Sequence, residues 1–280
     1  MLISTNTVPL KKWGDNKKII KLIKDVGFDA YDFTMYGVGK IECIIDQEDY
    51  KEKAMELRKY ADSIGIVCNQ THSYFPMAKD DYETRFKYVV RSIEVSSILG
   101  AKYVIIHPVN KYNAEDNAVV YNKFLPYAKE NNVKICLENL WLWDSEKNEA
   151  KSCACSNHED YLKHLSLIDN DWFYACLDFG HAEMRGLNTS NVEMIEALGE
   201  KLKCIHIHDN DKMHDLHKLP YTGNIDFEAI IDALKSINYS GDITFESDSF
   251  IKSLPVELYP DGLKMMLAIG KYFKKRLENN

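Results

Sequence analysis

Short apolar runs alternate with longer stretches whose apolar residues recur at helical spacing, from one end of the chain to the other. The strand-like runs are 2–7 (LISTNT), 29–34 (DAYDFT), 65–73 (GIVCNQTHS), 101–108 (AKYVIIHP), 133–140 (VKICLENL), 173–181 (FYACLDFGH), 202–210 (LKCIHIHDN) and 241–248 (GDITFESD), eight in all. Between them the spacing predicts helices. Over 46–64, Tyr50, Ala54, Leu57, Ala61 and Ile64 form one stripe, and over 81–100 Phe86, Val90, Ile93 and Ser97 form another, with Gly100 as a stop. Over 226–238, Asp226 caps a helix whose buried face is Phe227, Ile230, Ile231 and Leu234, and a last helix over 261–277 leads into a basic, solvated end. Eight strand–helix pairs without a linker or compositional break predict an α/β fold, a single (β/α)8 TIM barrel domain over residues 1–280. An open doubly wound sheet would need a phosphate-binding glycine loop after the first strand, and TNTVPLKKWGDN has none. There is no internal repeat and no low-complexity stretch.

In a closed barrel the chemistry sits at the C-terminal ends of the strands, on the inward face, and residues two apart share a face. That places His72, His107, Glu138, Asp178, His206 and Glu246 at the ends of the third to eighth strands, every one of a metal-ligand type. The same parity puts Cys68, Cys136, Cys176 and Cys204 a layer below, where a small apolar residue fills a tapering interior. The CAC at 153–155 lies in a loop and lacks a matching second pair. Glu138, Asp178 and Glu246, ionised side by side in a partly buried mouth, would each carry a desolvation penalty of order several kcal/mol plus mutual repulsion. No arginine or lysine occurs in LENL, LDFGH or TFESD to offset it. A divalent cation removes the conflict, and two glutamates, an aspartate and a histidine suit manganese, cobalt or magnesium.

Composition narrows the class. Charged residues are 28% and hydrophobic ones 45%, the balance of a soluble globular protein. No apolar run approaches the ~20 residues of a membrane span, and the first residues lack the pattern of a signal peptide, so a cytoplasmic location is expected. Seven cysteines, an odd number without framework spacing, suggest reduced thiols. A net charge of −8 argues against a nucleic-acid surface, although cations bound inside a cleft can reverse the local sign.

Through QTHSYFP, IIHP, LENL, CLDFGHAEM, IHIHDND, LPYTGNIDF and ITFES, in that order, the chain resembles the xylose isomerase-like barrel superfamily. That group holds sugar and sugar-phosphate isomerases and epimerases as well as nucleases of the endonuclease IV type. The resemblance implies a metal site at Glu138, Asp178, His206 and Glu246, with His181 of the Asp-x-x-His motif contacting substrate. His206 is preferred to His208 because His206 to Asn210 fits a His-x-x-Asp-Asn register, though both point the same way on the strand. The nuclease branch adds further ligands, which match His72, His107, His181, Asp215 and His217 and would complete a site for up to three zinc ions.

Two activities follow. In a metal-dependent isomerase or epimerase of a small sugar, sugar phosphate or polyol, Glu138 and Glu246 would shuttle a proton through a metal-stabilised enediolate. His72, His181 and Trp141 would face the substrate, and Trp141 and Trp143 are equally suited to packing under a long loop. The alternative is a zinc-dependent abasic-site endonuclease or phosphodiesterase. Against it stand the acidic balance, HPVN where that branch has His-Pro-Gly, and a glycine-rich turn reduced to TGNIDF. A barrel that only binds a polyol or scaffolds a partner is the non-enzymatic reading. The sugar reading is expected, with a small-molecule partner, no membrane and nucleic acid disfavoured. Homo-oligomers are common among such barrels, and no particular surface is marked for pairing.

Overall fold

The computed structural model describes residues 1–36, 43–77 and 82–278. Eight parallel strands close into a barrel: β1 (Ile3–Asn6), β2 (Ala30–Thr34), β3 (Val67–His72), β4 (Tyr103–Ile106), β5 (Lys134–Glu138), β8 (Phe173–Asp178), β9 (Leu202–Ile207) and β10 (Ile243–Phe245). They neighbour one another in chain order, and β1 pairs with β10 to shut the ring. The two remaining strands, β6 (Leu142–Asp144) and β7 (Glu149–Lys151), form a separate antiparallel hairpin in the loop after β5, which the alternation pattern did not reveal. Strands buried on both faces suit an all-parallel sheet wrapped by helices. The core accordingly lies in two shells, one between barrel and helices and a smaller one inside the barrel.

The helices start and stop where their side chains can satisfy free backbone groups. Asp226 accepts from the backbone N–H groups of Glu228 and Ala229, so the helix Phe227–Ser236 begins where its cap predicts. Gly65, at φ 69°, ends the helix Tyr50–Ile64 in a left-handed conformation that costs glycine little. The final helix runs Tyr259–Glu278, starting earlier than its apolar periodicity suggested.

Three expectations differ from the structure. The helix after β3 runs Tyr82–Leu99 and buries Tyr88, Val89, Ser92, Ile93, Ser96 and Leu99, a face offset from the expected stripe of Phe86, Val90, Ile93 and Ser97, while residue 81 lies outside the described residues. Hydroxyls hide that face from an apolar count: Ser96 Oγ bonds Thr71 Oγ1 at 2.6 Å and Ser92 Oγ accepts from the Tyr74 backbone N–H at 3.1 Å. Cys68 belongs to the outer core rather than the barrel interior, because the β2–β3 register skips Asn69 between the pairs Tyr31–Cys68 and Asp32–Gln70. Such an irregularity reverses the alternation that parity relies on. The sixth barrel strand stops at Asp178, and Phe179–Ala182 is already a helical turn. Among the described residues no helix is long and apolar enough to cross a membrane.

Candidate metal centre

The strand ends converge as their parity requires. Glu138 ends β5, Asp178 ends β8, His206 lies near the end of β9 and Glu246 follows β10, and their exposures run from 0% to 6%. One ligand atom from each of these four falls within 4.8 Å of the others. His107 Nε2 stands 3.0 Å from Glu138 Oε2, and His72 Nε2 stands 3.0 Å from Glu246 Oε1 and 3.6 Å from Glu138 Oε2. The ion pairs of Glu138, Asp178 and Glu246 among the described residues are all with histidines, none with lysine or arginine.

A second group lies beside the first. His181 Nε2 and His217 Nε2 approach Asp215 Oδ2 at 3.3 and 3.2 Å, and His208 Nε2 lies 3.7 Å from Asp215 Oδ1. Two backbone carbonyls set the rings. His181 Nδ1 donates to the Asn139 carbonyl at 2.9 Å and His217 Nδ1 donates to the Glu246 carbonyl at 2.8 Å. In the neutral form each ring therefore turns a lone pair on Nε2 toward the Asp215 carboxylate, an arrangement favourable only with a proton or a cation between them.

Asn139, next to Glu138 in LENL, fastens the two strand ends: its Oδ1 accepts from the Asp178 N–H at 2.7 Å and its Nδ2 donates to the Asp178 carbonyl at 3.0 Å. Asp178 also caps the turn that follows, accepting from the His181 N–H at 2.8 Å, which brings His181 to the second group.

In the histidine- and aspartate-rich run 203–227 the structure separates roles. His206 and His208 point into the barrel mouth, Asp215 and His217 return to it from the loop, and His214 is 63% exposed at the side chain. Asp209 holds the loop by accepting from the N–H groups of Gly223 (2.7 Å) and Ile225 (3.2 Å), and Asn210 Nδ2 donates to the Gly180 carbonyl at 2.8 Å. Gly180 is needed for a close approach: a Cβ there would sit 1.9 Å from His208 Cε1.

Sequence reasoning missed Asp32 and Gln70, and ranked His208 behind His206 although both reach the mouth. Asp32 is fully buried on β2, 3.0 Å from His72 Nδ1, and forms a further group with His72, His206 and Glu246. A charged residue inside DAYDFT, sharing a face with Ala30 and Thr34, was the available signal. Gln70 Nε2 donates to Asp32 Oδ2 at 3.0 Å and to His206 Nε2 at 2.9 Å. His206 then carries its proton on Nδ1, facing Glu138 Oε1 at 3.0 Å. His208 Nε2 instead lies 2.9 and 3.1 Å from the two oxygens of Asp178. Trp141 is half-buried against Ala150, Met184 and Leu187 and edge-on to Trp143, the packing arrangement. Cys155, Asp160 and His164 also lie together, but His164 Nδ1 already bonds the Asp160 carbonyl and its Nε2 meets Asn117, so this group fastens a helix start.

Charge states follow from these neighbours. Burial opposes ionisation of Glu138, yet His107 and His206 hold its carboxyl well below the usual range. Asp215 is likewise depressed against burial by His181 and His217. Burial pulls the imidazoles down, but Asp32 and Glu246 raise His72 well above its ordinary value, and Asp215 raises His217 to about 10. The cluster thus balances its acids with protons on histidine. Several atoms remain without a hydrogen-bond partner: both nitrogens of His72, His107 Nδ1, Glu138 Oε2, His208 Nδ1 and Asp215 Oδ1. His72 is at ion-pair distance from carboxylates without hydrogen-bond alignment, so buried donors and acceptors surround common points rather than one another. The donor set fits a divalent cation.

Relatives share this architecture. The chain is 25% identical over 241 residues to an L-ribulose 3-epimerase of Methylomonas sp., covering 83% of this chain and 78% of that protein. It is 22% identical to a probable endonuclease 4 of Mycoplasmopsis agalactiae, over 80% of this chain and 82% of the other. Against uncharacterised proteins of Sinorhizobium fredii and Methanocaldococcus jannaschii the chain spans about half of their length, 50% and 54%. A crystal structure of the IOLI protein with a bound zinc atom superposes with a TM-score of 0.78 at 18% identity, covering 100% of both chains. The family described as xylose isomerase-like TIM barrel matches residues 20–269, and the chain belongs to that family.

Proposed function

We propose that the protein is a metal-dependent isomerase or epimerase of a small sugar, sugar phosphate or polyol. The observation that carries this reading is the buried quartet of Glu138, Asp178, His206 and Glu246, two of whose members are glutamates on separate strands. A divalent ion held there would act as a Lewis acid toward a substrate carbonyl and its neighbouring hydroxyl. The remaining work falls to side chains. Glu138 and Glu246 both start as carboxylates, the form that takes a proton from carbon. His107 and His72 position them, and His181, fixed by the Asn139 carbonyl, presents its Nε2 to the mouth.

Of the two histidines on and after β9, His206 offers a lone pair at Nδ1 only if its proton passes to Nε2 and Gln70 turns its oxygen toward the ring. His208 sits between Asp178 and the second group, and its Nε2, which faces the Asp178 carboxylate, offers a lone pair only if its proton passes to Nδ1.

The second group, with His72 and His107, supports phosphodiester hydrolysis as the competing reading, since it has donors for more than one ion. The two are separated by assaying metal-loaded protein on a panel of ketoses and on an abasic-site duplex, with metal content measured alongside. Ketose turnover with about one ion per chain is expected; duplex incision with about three zinc ions and no ketose turnover would replace the sugar reading with the nuclease.

A further inference from the structure

A cavity of about 390 Å³ opens beside the ionic mouth, between the turn after β1, the end of β2 and the segment after β10. Its walls are apolar where Val8, Phe33 and Ile44 line it; its polar groups are Thr34, Tyr36, Cys43 and Asn16, and its charged ones Lys11, Lys12 and Lys252. No acidic residue lines it among those described, in a chain whose net charge is −8. Tyr36 joins the cavity to the mouth: it lines the one, and its ring lies 5.4 Å from that of His72 in the other.

The lysines differ in their partners. Lys252 Nζ is held by Asp248 at 3.0 Å, so much of its charge is balanced. Lys11 Nζ meets the Asn16 amide oxygen at 2.8 Å and, like Lys12, has no carboxylate within ion-pair distance among the described residues. Lys11 is half-buried, and burial lowers its pKa. A partly desolvated ammonium whose described neighbours include no carboxylate gains most from an incoming anion.

We infer that Lys11 and Lys12 form a subsite for an anionic group on the substrate, phosphate or carboxylate, placed at the end remote from the reacting carbonyl. The inference rests on the sugar reading and narrows its substrate class. Apolar walls take the carbon chain, while the lysines hold the charge away from the carboxylates of the mouth.

The test compares kcat/KM of metal-loaded protein for neutral ketoses, their terminal phosphates and the corresponding terminal carboxylates, in the wild type, K11M/K12M and K11R/K12R. Charged hydrogen bonds of this kind predict that the wild type prefers an anionic substrate by about ten- to a hundredfold, that the preference collapses in K11M/K12M, and that K11R/K12R restores it. Whichever anion gives the larger preference identifies the group. Equal or better use of neutral ketoses, or a preference that survives in K11M/K12M, overturns the subsite and leaves the isomerase reading standing. Where no sugar is turned over, the isomerase reading fails, and calorimetry with inorganic phosphate judges the subsite alone. Binding that is lost in K11M/K12M and restored in K11R/K12R supports it; binding that is absent in the wild type or unchanged in K11M/K12M overturns it.

Discussion

Two layers of the barrel interior lie one step apart on the same strands and behave oppositely. On β5, β8 and β9 the lower positions are Cys136, Cys176 and Cys204, packed with Ile105 into an apolar plug. Two residues on, the same strands carry Glu138, Asp178 and His206. Burial is nearly complete in both layers, yet it pushes the three thiols up and leaves them neutral, whereas neighbouring histidines hold the carboxyls down and ionised. Burial alone therefore does not set charge state; the partners do. The plug closes the barrel beneath the ionic layer, and the charges above it have each other, protons, or a cation as company.

Removing one charge from the upper layer should disturb this contrast most. Glu138→Gln and Glu246→Gln are expected to fold, to lose about 10²–10⁴ in kcat and to bind metal more weakly, read by steady-state kinetics and elemental analysis. Wild-type turnover in either would contradict the assigned roles. Next, His206→Ala and His208→Ala separate the two histidines: the variant that loses roughly tenfold or more in metal affinity marks the ligand, and the other should retain its ion.

Acidity gives a smaller and graded effect. The raised pKa values of His72 and His217 mean that an incoming cation must displace protons, so affinity rises with pH up to the histidine pKa, near 10 for His217, and falls in acid. Chelator competition should show about a tenfold loss of affinity per pH unit for each proton displaced, and a flat profile between about pH 6 and 8 would remove the protons from the account. Smallest is a change in the plug. Cys204→Ala should cost about 1 kcal/mol in urea unfolding and leave metal content unchanged.

Much of this is legible in the order of residues. Eight runs correspond to eight barrel strands, and parity places Glu138, Asp178, His206 and Glu246 on one inward rim, where they lie. Asp32 was legible but unread, a charge in an apolar strand. Other features left no local trace. The skipped residue at Asn69 turned Cys68 outward, serines concealed the packed face of Tyr82–Leu99, and the β6–β7 hairpin is too short for its alternation to stand out.

The chain alone determined which residues face inward, because alternation along a strand is a local property with a period of two. It could not decide which inward residues meet. That His208 rests on Asp178, that Asp215 and His217 come back from the loop to join His181, and that Gln70 ties Asp32 to His206 all depend on the register between strands far apart in sequence and on a loop held by Asp209 and Asn210. Only closure of the barrel sets those distances.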